Sequence, residues 1–443
     1  MSRLIAVTSL AVVLLTSCSS SLGPVAQSPQ AELAQKRANV SWWRQFNDPA
    51  LTQDISSAFA NNPQLREIAL RIERADAAVA KARASQQPHL NLGFGYEDGR
   101  SQEVDFGPYD LAPWRSRAGL SWEIDITGKL RAAQKSAAAN RDAAIWDLQA
   151  AHLLFASRVA STRMNIYRFN NEIQTTARSL AASQSTLASL IDRSRAGLVA
   201  DSLLDKQRAE IDRTKRMKLE LERLRDLAIV QLRTLRGGNT PNKTTKSTFP
   251  ADLSFSARPL NQLIASHPSV LAAEARVRSA FELQNSASLD LLPSFQINLL
   301  ASGGQKSLSD RFQVWTAQAG PSLNIPLYDP SRLATLSARR AEAKIAATKY
   351  RQTILTVLKE IDSARINLAS RRSQLTAAKR ETKALANSRK NAREQFDAGL
   401  TSQIEYLDFE RQWLEAKRSE ALLHQAMLEA QINLLISTGG GRI

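Results

Sequence analysis

The sequence predicts a mostly α-helical chain with a membrane β-barrel, an internally duplicated protomer that gives two long antiparallel helical hairpins plus four strands. Three observations carry this reading. Two runs of about 65 residues, Leu130 to Arg195 and Leu333 to Asp397, contain neither glycine nor proline, and as helices at ~1.5 Å per residue each would reach about 100 Å. Four short segments alternate apolar and polar residues with period two, as a strand with one apolar face does. The chain also repeats itself: "NNPQLREIALRIERADAAVAKARASQQPHLNLGF" matches "SHPSVLAAEARVRSAFELQNSASLDLLPSFQINLL" in pattern, with Pro63 and Pro268, and Pro88 and Pro293, both 205 positions apart. "AGLSWEIDITGKLRAA" then matches "AGPSLNIPLYDPSRLATL", and "RAGLVADSLLDKQRAE" matches "DAGLTSQIEYLDFERQ", in the same order. Such ordered self-similarity marks a duplicated unit of roughly 200 residues.

Taken from the start, residues 1–17 read as a signal peptide: basic Arg3, an apolar run from Leu4 to Leu15 and a small-residue exit. The run is too short to span a bilayer. Leu15-Thr16-Ser17-Cys18 resembles the bacterial lipobox, which implies that Cys18 carries a covalent lipid, diacylglyceryl and N-acyl, and that the non-acidic Ser19 permits export to the outer membrane. A secreted protein whose one cysteine merely falls at the cleavage point is the alternative. With a single cysteine no internal disulfide forms.

Residues 18–47 follow as a lipidated extended segment, 48–256 as the first repeat and 257–443 as the second. In the first repeat, strands are expected at about 89–97, where Leu90, Leu92, Phe94 and Tyr96 share a face, and about 115–126, where Leu120, Trp122, Ile124 and Ile126 do. Helices are expected at about 129–195 and 201–236, followed by a connecting segment at about 237–256. In the second repeat, strands are expected at about 294–302 and 312–327 and helices at about 331–397 and 402–436, followed by the tail. The connections "EDGRSQEVDFGPYDLAP" and "SGGQKSLSDRF" read as polar loops. Leu407, Leu414, Ala421, Leu428 and Leu435 recur every seven residues, the pattern of lateral coiled-coil packing.

Four strands do not close a barrel, and open edges are not tolerated in lipid, so several protomers must contribute. Two copies would give eight strands and a barrel filled by its own side chains; three would give twelve and a lumen that conducts. A formal net charge of +17 would ordinarily raise nucleic acid as a partner. Export past the inner membrane and the scatter of the basic residues at helical spacing favour instead a solvated face, with some cations meeting anionic lipid head groups or a partner.

With these residues in view, the chain resembles the outer-membrane efflux ducts of the TolC family, more closely their OprM-like lipoprotein branch. The lipobox ending at Cys18, "WWRQFNDPAL", the "NP" and "HP" helix starts, "QQPHLNLG", "LLPSFQIN", "NIPLYDPSRL" and the two "AGL" hairpin tips carry the resemblance. It implies a homotrimer with a 12-stranded barrel and a 12-helix periplasmic tunnel, docked on a periplasmic adaptor and an inner-membrane pump of the RND type, with outer-membrane lipid around it, no cofactor and no catalysis; it also implies an equatorial region around the tunnel made from the segment after Cys18, residues about 237–256 and the tail "STGGGRI". By the same resemblance Gly197 and Gly399 are hairpin turns, and Ile404, Glu405, Asp408 and Asp205 stand at the periplasmic gate. The family's arginine just after the turn glycine is missing, since Leu400 and Thr401 stand there.

Local readings compete at each gate position. Ser402 and Glu405 fit a capping box, in which Glu405 would return a bond to the Ser402 backbone. Asp408 shares a face with Ile404 and Glu405, but also stands within reach of Arg411 and Gln412. Ile404 fits coiled-coil core equally. Catalysis finds no support: His89, His152, His267 and His424 have no metal-ligand spacing, and neither P-loop, GxGxxG nor GxSxG occurs. A protein-secretion duct and a structural periplasmic coiled-coil lipoprotein are the alternative functions; the alternating strands speak against the second.

Overall fold

The computed structural model describes residues 41–96, 100–103, 107–110, 114–239, 246, 248–250, 252–253, 259–305 and 314–440; the expected signal peptide and Cys18 lie outside them. A 3-10 turn at Trp42–Phe46 leads into helices α1 (Pro49–Asn61) and α2 (Pro63–Ala84). Strands β1 (His89–Tyr96), β2 (Arg100–Glu103), β3 (Gly107–Asp110) and β4 (Trp114–Ile124) come next, then helices α3 (Lys129–Arg195) and α4 (Asp201–Leu235). After a short α5 (Leu260–Ala265) the order is α6 (Pro268–Leu289), β5 (Ser294–Gln305), β6 (Val314–Asn324), α7 (Pro330–Asp397) and α8 (Gln403–Ser437).

Four of these helices start with the same device. Asp48, Asn62, His267 and Asp329 are N-caps followed by proline at the first helical position. The Asp48 carboxylate accepts from the backbone N–H of Ala50 at 3.0 Å and Leu51 at 3.3 Å, and Asn62 Oδ1 from Gln64 at 2.9 Å and Leu65 at 3.3 Å. Proline there has no N–H to leave unsatisfied and its φ is already helical.

The core sits midway along the long helices. Leu51, Ile55 and Ala58, three fully buried residues at i, i+4 and i+7 of α1, pack with Met164 and Tyr167 of α3 and Leu428 and Ile432 of α8. Trp42, Trp43 and Phe46 belong to the same cluster, so the end of the segment expected to be extended is a buried helical turn. Of the seven-residue series on α8, Leu414, Ala421, Leu428 and Leu435 are buried, which fixes the face that α8 turns inward.

A buried polar network ties this collar together. Arg163, 1% exposed, donates Nε to Asp54 Oδ2 at 2.6 Å, and its Nη2 contacts the same oxygen. Arg236 Nη1 donates to Asp54 Oδ1 at 3.0 Å, and the Tyr167 hydroxyl to Asp48 Oδ2 at 2.5 Å. Here α1, α3 and the end of α4 meet, and Lys246 reaches Asp48 from the segment beyond at 3.5 Å.

The strands form one antiparallel sheet in the order β1-β4-β5-β6 and a separate two-stranded ribbon, β2-β3. The ribbon corrects the expectation of a plain loop: Arg100 pairs with Asp110 and Glu103 with Gly107. Its strands are four residues long, too short and too polar to show alternation. The second-repeat strands also differ from expectation. β5 runs on to Gln305, because Ser302 to Gln305 pair with Trp114 to Arg117, and β6 stops at Asn324, before Pro326 whose missing N–H cannot extend a ladder.

Candidate functional site

Two regions bear on function, the four-stranded sheet and the hairpin tips. In the sheet the register brings the apolar residues of every strand onto one face. Leu90, Leu92 and Phe94 stand level with Leu120, Ala118 and Ser116; those stand level with Leu299, Ala301 and Gly303, and those in turn with Ala319, Ala317 and Trp315. Directly paired residues of antiparallel strands point the same way, so the alternation seen in four separate segments is one continuous apolar wall. It is exposed: Leu90 is 79%, Phe94 73% and Trp315 72% accessible. Tyr96 packs edge-on against Trp114 with ring centroids 5.1 Å apart at one margin, and Trp122 donates its indole N–H to the Gln86 carbonyl at 2.9 Å toward the other. The eleven residues of β4, tilted ~40°, rise about 27 Å, close to the ~25 Å apolar band of barrels that span outer membranes.

At the helical end of the sheet, Lys129 Nζ bridges Glu123 at 2.7 Å and Asp290 at 3.2 Å. Asp290 also lies 3.7 Å from Arg332. These ion pairs join the starts of α3 and α7 where strands hand over to helices.

At the tips both expected turns are present. Gly197 has φ 68° and Gly399 φ 73°, and the N–H of the residue after each closes back on the helix, Leu198 on the Arg193 carbonyl at 2.9 Å and Leu400 on that of Gln395 at 2.8 Å. This is the Schellman arrangement, which needs a left-handed residue that glycine supplies without a Cβ penalty. α8 restarts at Ser402, whose side chain accepts from the Glu405 N–H at 3.3 Å. The reciprocal arm of the capping box does not form: the Glu405 carboxylate accepts instead from the Thr401 hydroxyl, one residue nearer the turn.

Asp408 has both carboxylate oxygens engaged on its own helix, with the Arg411 guanidinium and with Gln412 Nε2 at 2.6 Å. Asp205 likewise pairs with Arg208 at 3.0 Å and is largely exposed. Within one chain these acids are solvated helix-face pairs, and the structure does not bring Asp205 and Asp408 together. Ile404 lies in the first turn of α8, with its side chain outside the described residues; Cys18 lies outside them altogether.

What holds the second tip against the first hairpin is a set of contacts that the sequence did not show. Phe396 and Tyr406 stack with centroids 5.7 Å apart across the α7–α8 turn, and the Arg193 guanidinium of α3 lies 5.3 Å over the Phe396 ring. Arg393 donates to Asp397 at 2.9 Å, to the Thr186 hydroxyl of α3 at 3.4 Å and to the Tyr406 hydroxyl at 3.5 Å. Its bond to Tyr406 raises its pKa, burial works against this, and the bond to Asp397 adds to it. One turn further up, buried Glu410 accepts from the Ser179 hydroxyl at 3.0 Å and lies 3.6 Å from Arg389. Only the Arg393–Asp397 spacing of four was a local signal; the contacts to α3 cross about half the chain. Among the described residues no three His, Cys, Asp or Glu side chains cluster as metal ligands, and no helix is long and apolar enough to cross a membrane.

Comparison with known proteins agrees with this architecture. The chain is 26% identical over 430 residues to the pyoverdine export outer membrane protein OpmQ of Pseudomonas putida, covering 94% of this chain and 91% of that one. It is 25% identical over 430 residues to the cation efflux system protein CusC of Escherichia coli, covering 94% and 92%. Its fold superposes on the outer membrane protein VceC of Vibrio cholerae with a TM-score of 0.79 at 19% identity, over 91% of this chain and 99% of that one. The family profile described as outer membrane efflux protein matches residues 55–238 and again 260–440, which is most of the chain and each half in turn: this protein belongs to the outer membrane efflux protein family.

Proposed function

We propose that three copies assemble into a 12-stranded outer-membrane barrel continuous with a 12-helix periplasmic tunnel. In this reading the chain is the exit duct of a tripartite pump for small toxic compounds, docked through a periplasmic adaptor on an inner-membrane RND-type pump, with Cys18 lipidated and the halves related by duplication. The observation that carries this is the sheet. Its apolar face is continuous across four strands, while β1 and β6 are edges with no further partner among the described strands. Edges left open in hydrocarbon leave backbone groups unsatisfied, at several kcal/mol each, and neighbouring copies remove them by pairing β6 of one with β1 of the next. With twelve strands about 4.8 Å apart, tilted ~40°, the barrel has a backbone radius of about 12 Å, wide enough to leave an aqueous lumen.

α3 and α7, 67 and 68 residues long, extend this lumen by about 100 Å at 1.5 Å per residue, and the tips at Gly197 and Gly399 close its periplasmic end. Asp408 and Ile404 line that closure, with Asp205 and Glu405 beside them. Relatives of similar identity are named for pyoverdine, cations and toluene, so one architecture serves unlike cargo and selection of cargo lies with the pump.

Planar bilayers containing the purified protein test the channel. Wild type or Asp408→Ala should conduct ions, the variant opening more often or with its selectivity shifted away from cations relative to wild type, because removing three carboxylates frees three Arg411 guanidiniums at the closure. No conductance from either protein would overturn the duct reading; identical opening and selectivity would remove Asp408 from the gate.

A further inference from the structure

The face of the sheet opposite the apolar wall has a charge pattern that conduction alone does not require. The register sets Asn91, Gly93 and Gly95 of β1 level with Gly119, Arg117 and Arg115 of β4, and these level with Leu300, Ser302 and Gly304 of β5. Among the described strand residues the formal charges on this face are Arg115, Arg117 and Glu123; the apolar face has none. Glu123 lies at the helical end and is taken up by Lys129 at 2.7 Å. The two arginines lie in the other half of the sheet, toward Tyr96 and Trp114 and away from the start of α3.

Arg117 is exposed, and its paired neighbours are Gly93 on one side and Ser302 on the other, so no bulky side chain crowds it from either strand. A guanidinium stays charged at any physiological pH. In the trimeric barrel of ~12 Å backbone radius, an arginine extending about 6 Å inward stands about 6 Å from the axis, inside the ~8 Å Debye length of physiological salt. Low-dielectric walls focus such a field into the lumen. Three Arg117 side chains therefore act on the whole cross-section, with three Arg115 side chains one row further out on the same face.

We propose that the outer half of the barrel lumen is an anion-attracting exit in which Arg117 sets the preference: carboxylate, sulfonate and phosphate-bearing solutes are drawn through it and cations held back. This inference rests on the trimeric barrel and on the assignment of its pore face.

The test reads the barrel from outside, independently of the periplasmic tip. Ser302→Cys places a thiol beside Arg117 in the full-length protein on intact cells, and the parent chain, whose one cysteine is Cys18, gives the background. Two membrane-impermeant methanethiosulfonate reagents of similar size are compared, one bearing a sulfonate and one a trimethylammonium group. The sulfonate reagent should react faster by about tenfold relative to the two reagents' ratio on a free thiol, at the low end of what a focused field produces. Adding Arg117→Gln should reduce that preference several-fold, Arg117→Glu should invert it, and Arg117→Lys should keep it. An unchanged ratio across labelled Arg117 variants overturns the anion exit while leaving the barrel intact. Failure of both reagents on Ser302→Cys, with labelling of Gly303→Cys on the other face, overturns the face assignment and the barrel reading with it.

Discussion

Adjacent residues on one strand make the sharpest test of which sheet face meets lipid. Leu300 and Ala301 are neighbours on β5, and Leu300 pairs with Gly119, the sixth of the eleven residues of β4, which places both near the bilayer midplane. Ala301 stands in a row with Ala118 and Ala317 on the apolar wall, whereas Leu300 stands with Gly119 and Gln318 on the other face. Lysine at the midplane of a barrel's lipid face costs about 2–4 kcal/mol, and in the lumen close to nothing. Ala301→Lys should therefore lower the folded-to-unfolded ratio between about thirtyfold and several hundredfold per chain, at ~1.4 kcal/mol per tenfold, and in the proposed trimer three such chains share one barrel. Leu300→Lys, the larger change in polarity, should cost under about 1 kcal/mol, because it takes an apolar side chain out of water. Urea unfolding of the protein in phospholipid nanodiscs, followed through the tryptophans of β4 and β6, gives the two midpoints against wild type. Equal losses, or a larger loss for Leu300→Lys, would refute the face assignment.

Other consequences concern the collar and the turns. Asp54→Ala leaves Arg163 and Arg236 buried without their carboxylate and should destabilise by about 3–5 kcal/mol, seen as a lower thermal midpoint of the purified protein; a change within 0.5 kcal/mol would contradict the network's role. His152, buried against Phe59 at 4.7 Å between ring centroids, has its pKa pushed down to about 4 by burial. Since the unfolded side chain takes up its proton near pH 6.5 and the folded one does so only near 4, stability is complete above pH 6.5 and falls as pH drops between these values, by about 2 kcal/mol at pH 5. His152→Gln should flatten that slope in a series of thermal midpoints, and an unchanged slope would contradict the assignment. Gly399→Ala, at φ 73° with open space around the added Cβ, should cost only about 1 kcal/mol. Gly237→Ala at the same φ would place its Cβ 2.2 Å from the Asn61 carbonyl oxygen and should cost several-fold more in the same melting assay.

Much of the fold was legible because its signals are local. Absence of glycine and proline marks α3 and α7, the Asp-Pro, Asn-Pro and His-Pro starts mark α1, α2, α6 and α7, and the turn glycines mark the tips, with no knowledge of partners. Alternation found the four main strands, yet it said nothing of register, and register is what merges four apolar sets into one wall and puts Arg115 and Arg117 together opposite it. The β2-β3 ribbon was missed because strands of four polar residues have no period to read. At the tips, the pairing of Asp408 with Arg411 and Gln412 stood among the sequence alternatives because it lies within one turn. The contacts that hold the tip to α3, Arg393 to Thr186 and Glu410 to Ser179, were hidden because they span 207 and 231 residues. The same holds for Asp54, whose partners Arg163 and Arg236 are 109 and 182 residues away.

Counting strands around the lumen tests the central claim most directly. Electron cryomicroscopy of the purified protein in nanodiscs should show three copies and a cross-section of twelve strands, with β6 of each copy hydrogen-bonded to β1 of the next. A monomer with an unclosed four-stranded sheet, or a two-copy barrel of eight strands filled by side chains, would contradict it.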